Sequence, residues 1–538
     1  MKSHPVWMGQ AKTPDAEECS IALTLTRRAT ESPEAPFAWF SDGSCWSNGD
    51  AYRVARETAA AMSSRGVGAG DRVINWLPNS AAHLRVLLGS SLLGATPVPM
   101  NPALRGRSLE DSLKLVNARL IVTHAALSSR LSEVEQPARC AVAVLGDESA
   151  AAGEAERLRM PADGLLEPNS TQPWDLGVIL YTSGTTGGVK AVRIPNGQLW
   201  SVGKVHFGFL EPSDRVMLTT PLCHIGPLAA LVGAIIAGAS VIVLEAFKTT
   251  TFWDDVRRFE ATAVPGMGPS LLNFLNKAPP HPDDRRHGLR LVNVVAADEA
   301  SRKFARRFGV SFFPSFGMTE LSVPIVGDLD STVEGSCGRA RDGMEVRLVD
   351  THDMEVPIGQ VGEIVVRPRH PWVVNDGYEA NAEATVVAWR NGWFHTGDAA
   401  YRDAEGNFFF ADRIKDVIRR RGENISSIEV EREVKAFAAV EDAAAVAVPS
   451  EHGDQDILVV VSPLGSAEIV PEELIEFLRA RMPHFMVPRY VRVMHEMPRT
   501  PSNKIRKADL RSEGVTADTW DREAAGIAIR AERFGSVA

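Results

Sequence analysis

Between Leu180 and Val192 the chain reads LYTSGTTGGVKAV, with four Ser/Thr hydroxyls, three glycines and one lysine directly after the apolar segment DLGVIL. The apolar segment has the character of a buried strand, and the run after it has too little side chain to pack a core, so it reads as a loop. Glycine lets backbone approach a phosphate closely, successive N–H groups make an anion-binding concavity, and hydroxyls add donors. Lys190 adds a positive charge. The stretch is not a Walker A loop, which requires Gly where Val189 stands and Ser or Thr where Ala191 stands. A different triphosphate cradle is implied. The bland alternative is a glycine loop without a ligand, and the rest of the chain weighs against it.

Four further stretches follow in order: FGMTE (Phe316 to Glu320), WFHTGD (Trp393 to Asp398), DRIKDVIRRRGENI (Asp412 to Ile425) and PRTPSNKIRKADLR (Pro498 to Arg511). Together with YTSGTTGGVK they make nearly the whole chain resemble the adenylate-forming acyl-CoA synthetases, a superfamily that includes firefly luciferase and the adenylation domains of peptide synthetases. FADRIKD, MPHFMVPRYVRV and the late TWDRE are most similar to its carnitine/crotonobetaine CoA ligase branch. The implied reaction is ATP-dependent. A carboxylate is a poor acyl donor because an oxide leaves badly, so it first attacks the α-phosphate of ATP. Acyl-AMP and pyrophosphate form, and the thiol of CoA then takes the acyl group. The first step asks the protein for positioning and charge stabilisation more than for covalent chemistry.

The resemblance assigns roles to individual residues. Lys504 neutralises charge on the α-phosphoryl oxygen and the attacking carboxylate. Thr182, Ser183, Gly184, Thr185, Thr186 and Gly187, with Lys190, cradle the β- and γ-phosphates. Glu320 holds Mg2+, a hard cation suited to carboxylate and phosphate oxygens, and Thr319 contacts the α-phosphate. Phe316 stands where the family usually has tyrosine and offers a flat face to adenine, with Gly317 and Met318 beside it. Asp398 accepts both ribose hydroxyls, and Arg413 reaches the ribose too. The small C-terminal domain swings about Lys415, exchanging the Lys504 loop for the thiol-acceptor loop Gly422-Glu423-Asn424. Arg419, Arg420 or Arg421 would then contact a CoA phosphate. His224 is read either as an acyl-pocket residue or as a packed histidine beside an apolar helix.

Some positions depart from the family pattern. Val189 replaces a proline, Ala191 and Asn503 replace glycines, Asp412 replaces a glycine, and Ala296-Ala297-Asp298-Glu299 stands where Gly-Gly-Ala-Pro is usual. None removes a charge needed for adenylation. They leave the second substrate open, so a carrier-protein thiol, an amine or nitrite activated for diazotisation stays beside CoA, and a non-catalytic nucleotide-binding protein is a more distant alternative.

The elements that must hold these residues follow from length and pattern. At 538 residues the chain exceeds what one core organises. Up to about residue 180 helical patterns alternate with β-branched runs such as DRVINWL, and from Val205 to Phe316 strands are expected at RVMLTT, SVIVL, ATAVPG and LRLVNVV. After Gly317 the grammar shifts to short hairpins: MEVRLVD, GEIVVRP, AAYRD and, past the turn Asp403 to Asn407, FFFAD. The fold class is therefore α/β: a large N-terminal domain of parallel-rich sheets with a small β-rich subdomain (residues 1–412), and a small mobile α+β C-terminal domain (residues 413–538). In the latter, Ser426 to Glu429 fits a capping box, which puts GENIS on an exposed loop.

Composition narrows the partners. A net charge of -10 argues against general binding to nucleic acid or anionic lipid. Five scattered cysteines and an N-terminus without an apolar core fit a reducing cytoplasm. The uncharged run Ile225 to Leu244 has the length of a bilayer span, yet Gly238-Ala239-Ser240 breaks it, so a buried helix, turn and strand are expected. His281, Asp283, Asp284 and His287 read as a solvated loop, and the turn Pro265 to Ser270 as part of the acyl pocket. The identity of the acid and the oligomeric state, a homodimer being one option, do not follow from the sequence.

Overall fold

The structure is a computed structural model that describes residues 9–135, 140–145, 166–183, 189–245, 248–413, 417–421, 423–451, 453–498 and 505–529. Gly184, Thr185, Thr186, Gly187, Lys415, Gly422 and Lys504 lie outside the described residues. Of Ser183, Arg413 and Asn424 only the backbone is described.

Two parallel-rich sheets carry the N-terminal part. In the first, Thr96–Pro99, Arg72–Trp76, Ala118–His124 and Ala141–Leu145 lie side by side in that order, all parallel. The nine-stranded second sheet has a parallel centre in the order Ser311–Met318, Leu291–Val294, Ala263–Met267, Arg215–Leu218, Ser240–Val243, Pro36–Phe40. Antiparallel strands close both edges: Ser322–Val326 and Arg339–Ala340 at one, Cys45–Ser47 at the other. The four expected strands are thus neighbours in one layer. Ser240–Val243 is buried at every position, as a strand covered by helices on both faces must be.

The uncharged run resolves as the helix Ile225–Ala237, Gly238 in the left-handed region at φ 81°, and the strand Ser240–Val243. Among the described residues no helix is long and apolar enough to cross a membrane. A helix leaves its last carbonyls without intrahelical partners. Arg28, on the helix Ile21–Glu31 and only 7% exposed, supplies them. Its guanidinium donates to the carbonyls of Ala234 (3.3 Å), Ile235 (3.4 Å), Gly238 (3.2 Å) and Ala239 (3.0 Å). Burial lowers the Arg28 pKa to about 10, which keeps it cationic at neutral pH against the negative end of the helix dipole.

The β-rich subdomain forms as expected. Met344–Val349, Gly362–Pro368 and Trp393–Arg402 run antiparallel, with Trp389–Arg390 and Phe408–Arg413 also paired to the last. Beyond it come the hairpin Val417–Arg420 and Glu423–Ser426, the helix Ser427–Lys435, and a four-stranded sheet of Val440–Pro449, Gln455–Pro463, Tyr490–Val493 and Trp520–Asp521. Of the loop expected at GENIS, Glu423–Ser426 is instead a strand. Ile418 and Ile425, each about 1% exposed, sit opposite one another in the pair and anchor it in the C-terminal core.

Replacing Arg28 by methionine removes a shared donor from four carbonyls, of which that of Ala234 keeps the N–H groups of Gly238 and Ala239, and we expect a loss of about 2–4 kcal/mol in urea unfolding. A change under about 1 kcal/mol would show that the contacts are incidental.

Candidate functional site

Parallel strands deliver their carboxyl ends to one edge of the sheet, where an α/β protein commonly opens a crevice. A cavity of about 1270 Å³ lies there, and its wall includes Thr220, Met267, Val294 and Met318, each at or just past the end of a central strand.

Two paired strands flank the hydroxyl-rich run, and Lys190 lies on a strand, unlike the lysine of a P-loop, which opens a helix. Leu176–Ser183 pairs antiparallel with Val189–Pro195, and the register sets Thr182 opposite Lys190. Both line the cavity, so a hydroxyl and an ammonium stand side by side. Ala191, which replaces a family glycine, is 0% exposed and fills the core between the sheets. That departure leaves the cavity untouched.

FGMTE forms the end of Ser311–Met318 and the turn after it. A Cβ on Gly317 would meet the Ser322 carbonyl oxygen at 2.7 Å, so the turn requires glycine there. Buried Gln198 donates to the Thr319 carbonyl and to Ser322 Oγ, both at 3.0 Å, and fixes the far side of the turn. Asn375 donates its backbone N–H and its side-chain amide to the Glu320 carbonyl, at 3.0 and 2.9 Å. Gly317, Met318, Thr319 and Glu320 all line the cavity, and Glu320 is only 6% exposed.

Tyr378, which sequence reading missed, joins these two stretches. Its hydroxyl donates to Glu320 Oε1 at 2.9 Å, and Lys190 Nζ lies 4.7 Å from its ring centroid. Burial and the Glu320 charge raise the Tyr378 pKa, so the phenol stays a donor. Its neighbour Glu379 accepts from Arg72 at 2.7 Å and from Arg193 at 2.8 Å, clamping the segment against the hairpin.

WFHTGD lies in the strand Trp393–Arg402. Glu363 accepts from the Gly397 N–H at 2.9 Å and meets His395 Nδ1 at 3.0 Å, while Thr396 Oγ1 accepts from the Asp398 N–H at 3.1 Å. His395 and Thr396 line the cavity, and Asp398, 2% exposed, is buried beside them with its backbone paired to Arg413. Phe316 is 9% exposed, packs in the β-rich core and stacks on Phe410 with centroids 6.3 Å apart.

The C-terminal hairpin reaches the same cavity. Glu423 Oε1 accepts from Asn101 Nδ2 at 3.3 Å and lies 3.1 Å from His224 Nε2, and Arg419 lines the wall. His224 is therefore a lining residue that pairs across the domain junction, a role sequence reading did not foresee. Burial pulls its pKa down, but the charges and hydrogen bonds of Glu423 and Cys223 together outweigh this and hold it well above 6.5; burial pushes Glu423 up, and His224, His484 and Asn101 together bring it below its ordinary value. Arg432 and Asp111, 3.0 Å apart, make a second junction contact. Arg420 is not available to a CoA phosphate: it is 4% exposed, paired with Asp456 at 2.9 Å and bonded to the Phe485 and Val487 carbonyls. Arg419 and Arg421 are exposed.

Asp298, in the departed Ala296 to Glu299 stretch, caps the helix Glu299–Phe308 by accepting from the Ser301 N–H at 2.8 Å. Asp284 of the solvated loop is paired with Arg307 at 2.7 Å, and His287 stacks on Trp253.

Comparison with known proteins agrees with this geometry. Residues 25–378 match the model of the AMP-binding enzyme family, and residues 429–504 match that of the AMP-binding enzyme C-terminal domain. A crotonobetaine/carnitine–CoA ligase of Escherichia coli O7:K1 is 31% identical over 470 residues, covering 84% of this chain and 90% of its own, and one from Shigella flexneri is 30% identical over the same shares. In fold the chain is similar to an o-succinylbenzoate CoA synthetase of Bacillus subtilis bound to a product analogue, with a TM-score of 0.79, 23% identity and coverage of 91% and 98%. An amide bond synthetase of Marinactinospora thermotolerans has the same TM-score at 22% identity, with coverage of 91% and 99%. The matched family model spans more than half of the chain, and the chain belongs to the AMP-binding enzyme family.

Proposed function

We propose that the protein is an ATP-dependent carboxylic acid:CoA ligase that works through an acyl-AMP intermediate and releases pyrophosphate. The observation that carries this reading is a single cavity with phosphate-type groups, Thr182, Lys190 and Glu320, in one wall and Arg419 of the C-terminal hairpin in another. An adenylating centre and an entry for a second reactant need that shared space. The relatives named as CoA ligases, aligned over most of their length, support CoA as the acceptor.

In this reading residues 1–412 form the core and residues 413–538 the moving domain, hinged at Lys415. Ser183, Gly184, Thr185, Thr186 and Gly187 complete the cradle begun by Thr182 and Lys190. Phe316 and Met318 flank adenine, and Asp398 with Arg413 binds the ribose. Glu320 fits a hard cation: it is a buried carboxylate facing the cavity, next to the Thr319 hydroxyl and oriented by the Tyr378 phenol. Mg2+ held there supplies charge neutralisation to phosphate oxygens. Thr319 contacts the α-phosphate, and Lys504 enters to meet charge that develops on it. Glu423, between Gly422 and Asn424, docks the hairpin for thiol entry by pairing with His224. Five cysteines without a disulfide among the described residues support placement in a reducing cytoplasm.

The docking pair makes the two-domain arrangement depend on pH. The raised pKa of His224 means that its contribution is complete below pH 6.5 and lost as pH rises through the raised value. The lowered pKa of Glu423 means that its contribution is complete above pH 4.5 and lost as pH falls through the lowered value.

Energy transfer between labels on the two domains is expected to report most docking between pH 4.5 and 6.5, and Glu423→Gln is expected to flatten the profile. A wild-type profile with no slope on either side of that window would remove the pair from the docking mechanism. Lys504→Ala is expected to abolish acid-dependent pyrophosphate release, by about a hundredfold or more, while transfer from preformed acyl-AMP to CoA persists. Equal loss in both half-reactions contradicts the role given to Lys504. Pyrophosphate release that ignores CoA and responds to an amine or nitrite identifies another acceptor.

A further inference from the structure

The inner end of the cavity carries groups that adenylation does not use. Ser201–His206 is a turn of π-helix, a widened backbone that recurs at functional sites. It presents Val202 and His206 to the cavity, with Phe207 following, and Val323 and Ala229 complete an apolar surround. His206 is 1% exposed, and its Nδ1 is buried with no hydrogen-bond partner among the described residues. The rings of Phe207 and Phe313 meet it edge to face at 4.7 and 5.5 Å.

Arg341 lies behind this wall and is also 1% exposed. Its Nε donates to the Val323 carbonyl at 2.8 Å and its Nη2 to Ser201 Oγ at 3.2 Å, tying it to two segments that form the wall. Its Nη1 has no partner, and the guanidinium makes no ion pair among the described residues. The counter-charge that acts on it is Asp342, outside ion-pairing distance, so the buried cation is only partly compensated and projects positive potential into an apolar space more strongly than it would through water. Burial together with Arg341 pushes the His206 pKa down to about 3, so the ring is neutral at physiological pH.

A neutral imidazole holds one N–H and one bare nitrogen. An unsatisfied buried acceptor is tolerated better than an unsatisfied buried donor, so sealed Nδ1 is the bare nitrogen and the proton resides on Nε2. The acyl end therefore offers one N–H donor in an apolar surround under a positive potential. The carboxylate Glu320 is committed to the phosphate end.

We infer, on the reading of the cavity given above, that the acid this enzyme activates carries at its far end an uncharged or anionic oxygen acceptor that takes the His206 N–H, and that a carnitine-like quaternary ammonium tail is refused. An oxygen acceptor satisfies His206 and is favoured by Arg341. A fixed cation leaves the donor unpaired and meets like charge in low dielectric.

The test uses acids of matched shape in two sizes: para-acetyl-, para-isopropyl- and para-trimethylammoniobenzoate, and levulinate, isocaproate and γ-butyrobetaine. Binding of each to the full chain is measured by calorimetry without ATP. In at least one size the oxygen-bearing acid is expected to bind about tenfold tighter than its apolar counterpart, with the cationic acid weakest. His206→Phe is expected to erase the advantage of the oxygen acid while holding the apolar acid within about twofold, whereas a general disturbance of the wall would weaken all three alike. Arg341→Met, if it folds, is expected to narrow the gap to the cationic acid. Tightest binding by the cationic acid, equal binding by the three, an advantage untouched by His206→Phe, or no binding at all overturns the inference. Pyrophosphate release on adding ATP is read separately. Release without discrimination keeps the ligase and sinks the inference; discrimination without release keeps the pocket and sinks the ligase.

Discussion

Lys190 and Glu320 carry opposite charge in one cavity wall, and a tyrosine serves both: Tyr378 takes the ammonium on its ring face and the carboxylate on its hydroxyl. Everything else in the wall follows from keeping that phenol where it is. Asn375 and Glu379 bracket it on either side, one bound to the Glu320 carbonyl and the other to Arg72 and Arg193. The β-rich subdomain is thereby fastened to the hairpin and to the strand Arg72–Trp76 of the parallel sheet. An aromatic ring with a polar tip can engage a cation on its face and a carboxylate at its hydroxyl at once, and that is how Tyr378 sits between these two groups.

Charges with a local signature were legible in the sequence; those defined by distant packing were not. Thr182 and Lys190 announced themselves through glycine and hydroxyl density, Thr319 and Glu320 through the resemblance of FGMTE to a family motif, and the structure gathers all four around one cavity. The strands from Arg215 to Val294 were equally plain, because runs of β-branched residues between helical patterns leave little choice. Tyr378 carried no such mark. It stands 58 residues from Glu320, and nothing in DGYE says which carboxylate its hydroxyl will find. The placement of Pro36–Phe40 beside Ser240–Val243 was hidden for the same reason, since parallel pairing across some two hundred positions leaves no local trace.

Two misreadings share a cause. The charged run IRRRGENIS reads as a solvated face, and hydrophilicity is a sound guide to exposure when no neighbouring domain is at hand. Here the isoleucines near its two ends, opposite one another in the strand pair, decide. Ile418 and Ile425 enter the C-terminal core and turn the run into paired strands, which draws Arg420 inward to Asp456 and leaves Arg419 and Arg421 outside. The lining position of His224 was one of its two readings, but its pairing was missed because the partner lies 199 residues away.

Glu423 bonds Asn101, which follows the last strand at one edge of the four-stranded sheet, and His224, which opens the helix packed on the nine-stranded sheet. One carboxylate thus joins the two layers at this end, beside Asn79, which donates to the Thr220 carbonyl at 3.3 Å and accepts from the Leu222 N–H at 2.9 Å. If the small domain swings as proposed above, the Glu423 bonds go with it, while Asn79 keeps the two layers bonded at this end.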